Sequence, residues 1–305
     1  MGKISKFMIV LLAVLGFAYY WLLVNAGPQV PARRIDLGAL RKAADGMKGD
    51  KPTAITFATV AMRDVPGAAL AAGTGLRQIT SAITAWRIET PEGGIVIDPG
   101  ISEVDARSMG FEVYSPRAQQ LVNVWMDRAA MILFTHAHID HVGGFLDHPR
   151  FKSIEGKAVV SEGMMGNINA LWRENARLLH APRKFAAIEA VAPGVVLIQT
   201  PGHTPASEMI YVRLASGREY IFAGDTASLA ANVEIPTPRS RLLADWLVPE
   251  DRSSVMGWLK GLKALKKEHE GLVIVPSHDA EWVMPKGPEY GITLAPELRK
   301  ARTTK

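Results

Sequence analysis

Residues 135–144 read Thr-His-Ala-His-Ile-Asp-His-Val-Gly-Gly, which places His136, His138, Asp140 and His141 within one loop. Three imidazoles and a carboxylate at this spacing suit zinc or a similarly borderline metal. The apolar run Ala129–Thr135 before them has the length of a buried strand, and Val142-Gly-Gly-Phe after them reads as a tight turn into a helix. The candidate ligands therefore sit at the carboxyl end of a strand. Such a tip cannot complete a site by itself, because backbone geometry lets only some of the four side chains reach one ion.

Further candidates follow, each after its own apolar run. His203 ends the run that starts at Gly194, Asp225 ends Tyr220-Ile-Phe-Ala-Gly-Asp, and His278 ends Leu272-Val-Ile-Val-Pro-Ser-His. Five of the eight histidines fall at these positions. The other three, His148, His180 and His269, are read as packing or surface residues, as most isolated histidines are. Upstream, Asp98 in Gly94-Ile-Val-Ile-Asp-Pro-Gly100 is either a turn residue capping its own backbone or a support for the site.

Taken together these segments resemble the metallo-β-lactamase-fold hydrolases, whose five sequence blocks are present in order over roughly residues 80–285. The resemblance implies one metal held by His136, His138 and His203, a second held by Asp140, His141 and His278, and Asp225 bridging the two. It places Asp98 behind the ligands, where a carboxylate orients a histidine ring. The implied cofactor is two Zn²⁺ per chain, with iron or manganese as alternatives. Two such ions share a water, lower its pKa toward about 7 and so present hydroxide at neutral pH. Asp140 is the implied catalytic residue, taking and orienting the proton of that water.

Within the superfamily, Asp225 argues against true metallo-β-lactamases, which typically carry Ser or Cys there, and His138 argues against flavodiiron oxidoreductases. Acyl-homoserine-lactone lactonases share the complete ligand set and the pair His278-Asp279, but usually carry Tyr three residues after the bridging Asp, where this chain has Ser228. The expected activity is hydrolysis of a lactone, another ester or an amide in a small-molecule substrate. Phosphodiester hydrolysis is the alternative from the same chemistry. A mononuclear-iron oxidoreductase resembling persulfide dioxygenases is the alternative from another class.

The 305 residues carry a formal net charge of +5, with Lys and Arg concentrated toward the two ends. That pattern suits a periphery near an anionic membrane, and nothing supports nucleic-acid recognition. Near the N-terminus, Phe7–Val24 is an uncharged apolar run preceded by Lys3 and Lys6, with Tyr19, Tyr20 and Trp21 toward one end. It is long enough to span a bilayer, which takes as few as about 17 residues. A signal peptide cleaved after Val24-Asn-Ala26 is the competing reading, but signal cores are usually shorter. Both readings export the catalytic domain, as a membrane-anchored protein or, after cleavage, a secreted one. There is no cysteine, hence no disulfide, thiolate ligand or acylated lipoprotein anchor.

The expected organisation is residues 1–26 as anchor or signal, 27–52 as a linker with a short helix, and 53–305 as the catalytic domain. Strand-like runs at 54–60, 83–88 and 94–97 alternate with helical stretches, the longest at 164–179 and 253–268. This implies a layered α/β domain. The resemblance makes it a four-layer αβ/βα sandwich, preceded by one transmembrane helix, with the metals along the strand-end edge. Segments 100–127, 145–184 and 228–249 are then free to cover the cleft. Their Tyr114, Trp125, Trp172 and Trp246 are read as packing aromatics ahead of substrate contacts.

Overall fold

The computed structural model describes residues 2–27, 29–179 and 182–299, so His180 and the last six residues lie outside it. One sheet contains β1 (Ala54–Pro66), β2 (Gln78–Glu89), β3 (Ile95–Ile97), β4 (Val113–Tyr114), β5 (Met131–Leu133) and β11 (Ile292–Leu294). Its order is β11-β1-β2-β3-β5, with β4 paired to β1. The second contains β6 (Ile188–Ala192), β7 (Val195–Gln199), β8 (Glu208–Arg213), β9 (Glu219–Phe222) and β10 (Leu272–Val275), in the order β10-β9-β8-β7-β6.

Alternation along the strands builds the layers. In β1 and β2, Ile55, Phe57, Trp86 and Ile88 point between the sheets and meet Leu197, Ile210, Tyr220 and Phe222 of the second sheet. The Trp86 and Phe222 rings meet edge-on at 5.3 Å, joining the two sheets. The intervening residues Ala58, Ile83 and Ala85 face outward onto the helix Pro116–Arg128, through Val122, Trp125 and Met126. On the far side, Val196, Ile198, Met209 and Tyr211 pack against Val255, Leu259, Leu262 and Leu265 of the helix Arg252–Glu268. Helix, sheet, sheet, helix is the αβ/βα sandwich expected from the sequence.

Residues 27–52 hold the helix Leu37–Gly46, capped by the Asp36 carboxylate, which accepts from the Ala39 N–H. Its Leu37, Leu40 and Ala44 are buried in the core of the second sheet. The N-terminal apolar segment is one helix, Lys3–Val24, with none of its most apolar stretch buried in the protein.

Two local expectations are corrected. Helix 164–179 ends early: it runs Glu162–Ala170, and Trp172 at φ 55° takes a left-handed conformation that a helix cannot continue through. The Val142-Gly-Gly-Phe stretch is not a turn, since a helix runs through it from Ile139 to Leu146. A Cβ on Gly144 would stand 2.1 Å from the Pro99 carbonyl oxygen. The glycine is there so that the loop after β3 can touch this helix, and the Gly144 N–H bonds the Gly100 carbonyl at 2.9 Å.

Candidate metal centre

Five strands end at one edge of the sandwich, and each delivers part of one cluster. Asp98 follows β3 and His136–His141 follow β5 in the first sheet, while His203, Asp225 and His278 follow β7, β9 and β10 in the second. β3 and β5 run parallel, as do β9 and β10, so their carboxyl ends coincide. His138 stands immediately before the helix Ile139–Leu146, whose first turn contributes Asp140 and His141.

The structure gathers every sequence-derived ligand candidate into two adjoining groups, His136 with His138, His203 and Asp225, and Asp140 with His141 and His278. Within each group the ligand atoms lie within 4.8 Å of one another. Asp225 faces both groups. Its Oδ1 is 2.9 Å from His278 Nε2 and 3.5 Å from His141 Nε2, while Oδ2 is 3.3 Å from His203 Nε2 and 3.7 Å from His136 Nε2.

The supporting hydrogen bonds decide which nitrogen of each ring points inward. His278 Nδ1 donates to the Ala82 carbonyl at 2.9 Å, His141 Nδ1 to Asp98 at 2.9 Å, and His203 Nδ1 to Glu250 at 2.9 Å. Each donation fixes the tautomer and leaves Nε2 with a bare lone pair. Those bare nitrogens face other nitrogens: His141 Nε2 to His278 Nε2 at 3.3 Å, and His203 Nε2 to His138 Nδ1 at 3.0 Å, with His136 Nε2 also 3.0 Å from that Nδ1. Ring nitrogens this close need a proton or a metal ion between them. The donor set therefore fits metal ions.

The electrostatics agree. Burial pushes His138 down to about 4, and burial together with its neighbouring rings holds His136 well below the usual imidazole range. Burial opposes the ionisation of Asp225, yet Arg239, His278 and His141 keep its carboxyl well below the ordinary value. Burial likewise opposes a charge on His141, but Asp98, Asp140 and Asp225 raise its pKa well above the usual imidazole range, so in the absence of metal this ring itself favours the positive charge that an ion would supply. Ionised carboxylates and mostly neutral imidazoles are the forms that bind metal.

Asp98 does more than cap a turn. It sits at φ 49°, a conformation unusual outside glycine, which aims its carboxylate at three donors. It accepts from the Thr135 N–H at 2.8 Å, the Thr135 hydroxyl at 2.7 Å and His141. His148 is buried away from the cluster, taking the Arg150 N–H on Nδ1 at 3.0 Å, and His269 stands at the end of the helix Arg252–Glu268.

Two residues of the site have no sequence signature. Glu250 backs His203, but beside Asp251 it reads only as part of a helix start, since Asp251 supplies the cap of Arg252–Glu268. Arg239 is buried, with its Nη2 bonded to Asp225 and to the Ser228 hydroxyl at 3.0 Å and its Nε 3.2 Å from the same hydroxyl. The one available signal was a pair of arginines, Arg239 and Arg241, between Pro236 and Pro249 in a segment expected to cover the cleft.

That cleft is a cavity of about 380 Å³ lined by His138, Asp140, Asp225 and His278 at the floor and by Arg63 and Arg239 on the walls. Its remaining wall is apolar and includes Phe111, Leu171 and Leu247 from the three expected covering segments. Tyr114, Trp125, Trp172 and Trp246 do not line it. Trp125 is buried in the first sheet's core, and the Tyr114 hydroxyl donates to the Ile101 carbonyl at 3.2 Å.

Comparison with protein families matches residues 80–278 to the metallo-beta-lactamase superfamily. The chain belongs to that superfamily. It is a metal-dependent hydrolase, related to lactonases and distinct from the true β-lactamases. An N-acyl homoserine lactonase of Bacillus thuringiensis is 22% identical over 219 residues, covering 65% of this chain and 82% of the relative. Among solved structures, a quorum-quenching N-acyl homoserine lactone lactonase superposes with a TM-score of 0.60 at 20% identity, covering 78% of this chain and 96% of that one. A probable metal-dependent hydrolase from Staphylococcus aureus superposes at 0.59 and 16% identity, covering 76% and 91%. At these identities the superpositions establish the fold.

Proposed function

We propose that this protein is an exported, membrane-anchored dinuclear zinc hydrolase that opens a lactone or cleaves a related carboxylic ester or amide. The reading rests above all on Asp225, whose two oxygens face the two groups of inward-pointing nitrogens. His136, His138 and His203 would hold one zinc, Asp140, His141 and His278 the other, with Asp225 between them. Bound there, the pair supplies a water that ionises near neutral pH and a Lewis acid for the carbonyl oxygen.

The chain's own residues do the rest. Asp140 lines the cavity beside His278, 3.6 Å from its Nε2, and is positioned to take the proton of the attacking water and pass it to the leaving oxygen. Arg239 presents a buried guanidinium on the wall of the same cavity, where it offsets negative charge growing on the substrate carbonyl oxygen. Ser228 holds that guanidinium in place, at the position where acyl-homoserine-lactone lactonases usually carry Tyr. Asp98, Glu250 and the Ala82 carbonyl keep three rings turned inward.

Lactonases of Bacillus thuringiensis among the relatives support the lactone as first choice. The complete second group of ligands favours two metals over a single iron. Phosphodiester hydrolysis is the second reading, favoured by the two guanidiniums, Arg63 and Arg239, on one cavity wall. For the N-terminal helix, 22 residues rise about 33 Å, enough to cross a hydrocarbon core of about 30 Å. A panel of chromogenic lactones, esters, cephalosporins and phosphodiesters, with metal content measured on the same sample, tests the assignment. Turnover of lactones with two zinc ions per chain supports it, and turnover of phosphodiesters alone replaces it with the second reading.

A further inference from the structure

The outer end of the N-terminal helix does not hang free of the domain. The Leu23 carbonyl accepts the Gly73 N–H at 2.9 Å, and the Asn25 carbonyl accepts Arg252 Nη2 at 2.6 Å. Arg252 in turn donates from Nε to the Arg239 carbonyl at 3.1 Å, and the Arg241 guanidinium lies over the Trp21 ring at 4.2 Å. The helix is therefore fastened to the loop that carries Arg239, a wall of the metal cleft.

That loop continues from Arg241 into the helical turns Leu242–Leu247. Leu243, Leu247 and Val248 line the cleft, while Trp246 and Leu247 are 69% and 70% exposed. Leu76, three residues beyond Gly73 on the neighbouring loop, is exposed too. A Trp-Leu pair in water is costly unless something covers it. Here the exposed rim is continuous with a bare apolar helix ending in Tyr19, Tyr20 and Trp21, the residue types that settle at a bilayer interface.

We infer that the mouth of the metal cleft lies against the bilayer surface, with Trp246 and Leu247 in the interface, and that its substrate is a lipophilic acyl compound drawn from the membrane. The inference rests on the reading of Lys3–Val24 as a membrane span. The apolar cavity wall, with Leu70, Phe111, Ile139 and Leu171, suits an acyl chain entering past Leu247 toward Asp140 and Arg239. The Arg241 side chain, paired with Asp245 at 2.8 Å, stands beside Trp21 at the headgroup level.

Because the chain has no cysteine, one introduced thiol gives a unique probe. The full chain carrying Trp246→Cys is labelled with an environment-sensitive fluorophore and reconstituted in vesicles of phosphatidylethanolamine and phosphatidylglycerol. Ser216→Cys, in the exposed β8–β9 turn at the opposite end of the second sheet, is the control. The label at 246 is expected to be shielded from aqueous iodide and quenched by brominated acyl chains, with the label at 216 showing the reverse. A label at 246 as open to iodide as that at 216 overturns the inference while leaving the span intact. Shielding without quenching by brominated lipid means a second protein copy covers the rim, which also overturns it. Release of the unlabelled chain from vesicles by alkaline carbonate refutes the span itself and the inference with it. For the substrate, Trp246→Ser should lower turnover of a long-chain lactone in vesicles about tenfold and leave a short-chain, water-soluble lactone unchanged. Equal turnover of the long-chain lactone by wild type and variant refutes delivery from the membrane.

Discussion

Glu250 offers the sharpest test of how the site is held together. Its carboxylate accepts from His203 Nδ1 at 2.9 Å, and both side chains are completely buried. Hydrogen bonds to a charged partner contribute about 1.5–3 kcal/mol and neutral ones about 0.5–1.5 kcal/mol. Glu250→Gln keeps the shape and an acceptor but loses the charge, so about 1 kcal/mol or slightly more should be lost. That is roughly a tenfold weaker hold on the metal at His136, His138 and His203, at the low end of the 10–100-fold typical of residues that support ligands. Glu250→Ala leaves a buried N–H without an acceptor, which costs about 1–3 kcal/mol more and frees the ring to turn. Affinity should then fall roughly 30- to 1000-fold. Competition for zinc against a chromophoric chelator reads both variants, and thermal melting of the metal-free proteins separates loss of metal from loss of fold. The effect should fall on one of the two zinc equivalents and spare the other. Wild-type zinc affinity in a folded Glu250→Ala variant would refute the role given to this carboxylate.

Arg239→Gln should lower kcat/KM about 10²–10³-fold with zinc content retained, as removal of a charge-stabilising donor does, measured by steady-state lactone hydrolysis alongside metal analysis. Asp140→Asn should reduce kcat by at least about 10²-fold, and near-normal turnover with both metals bound would remove Asp140 from proton transfer. Gly144→Ala should destabilise the domain by about 1–3 kcal/mol in denaturant melts, since its Cβ would stand 2.1 Å from the Pro99 oxygen. Burial raises Glu208 to about 7, so the folded state holds a proton that the unfolded chain releases near its ordinary value of 4.5. Stability from that group is complete below the ordinary value and is lost as pH rises toward about 7. Glu208→Gln should therefore raise the Tm at pH 8, by up to about 3 kcal/mol in stability, and lose that advantage at acid pH.

The clustering of the candidate ligands was legible because each group follows an apolar run, and a strand that delivers a side chain to an edge leaves that trace in sequence. The same logic made the layers legible through β1, β2 and the helix Arg252–Glu268. What stayed hidden depends on contacts between distant segments. Glu250 meets His203 across 47 residues of chain, and Arg239 reaches Asp225 only because the loop after β9 folds back over the strand ends. Gly143-Gly144 was misread as a turn because the reason for the glycine, the Pro99 carbonyl, belongs to another loop. The length expected for helix 164–179 failed at Trp172, whose left-handed backbone no periodicity announces. Sequence pattern reports what a segment does by itself, and the first three of these features are set by what packs against it.

In the proposed mechanism two zinc ions work together at His136, His138, Asp140, His141, His203, Asp225 and His278. It is tested most directly by adding zinc stepwise to the metal-free protein while following lactone hydrolysis. Turnover should saturate at two equivalents per chain, and Asp225→Ala should neither bind the second equivalent tightly nor recover activity. Saturation at a single equivalent, or full activity with one iron per chain, would contradict it.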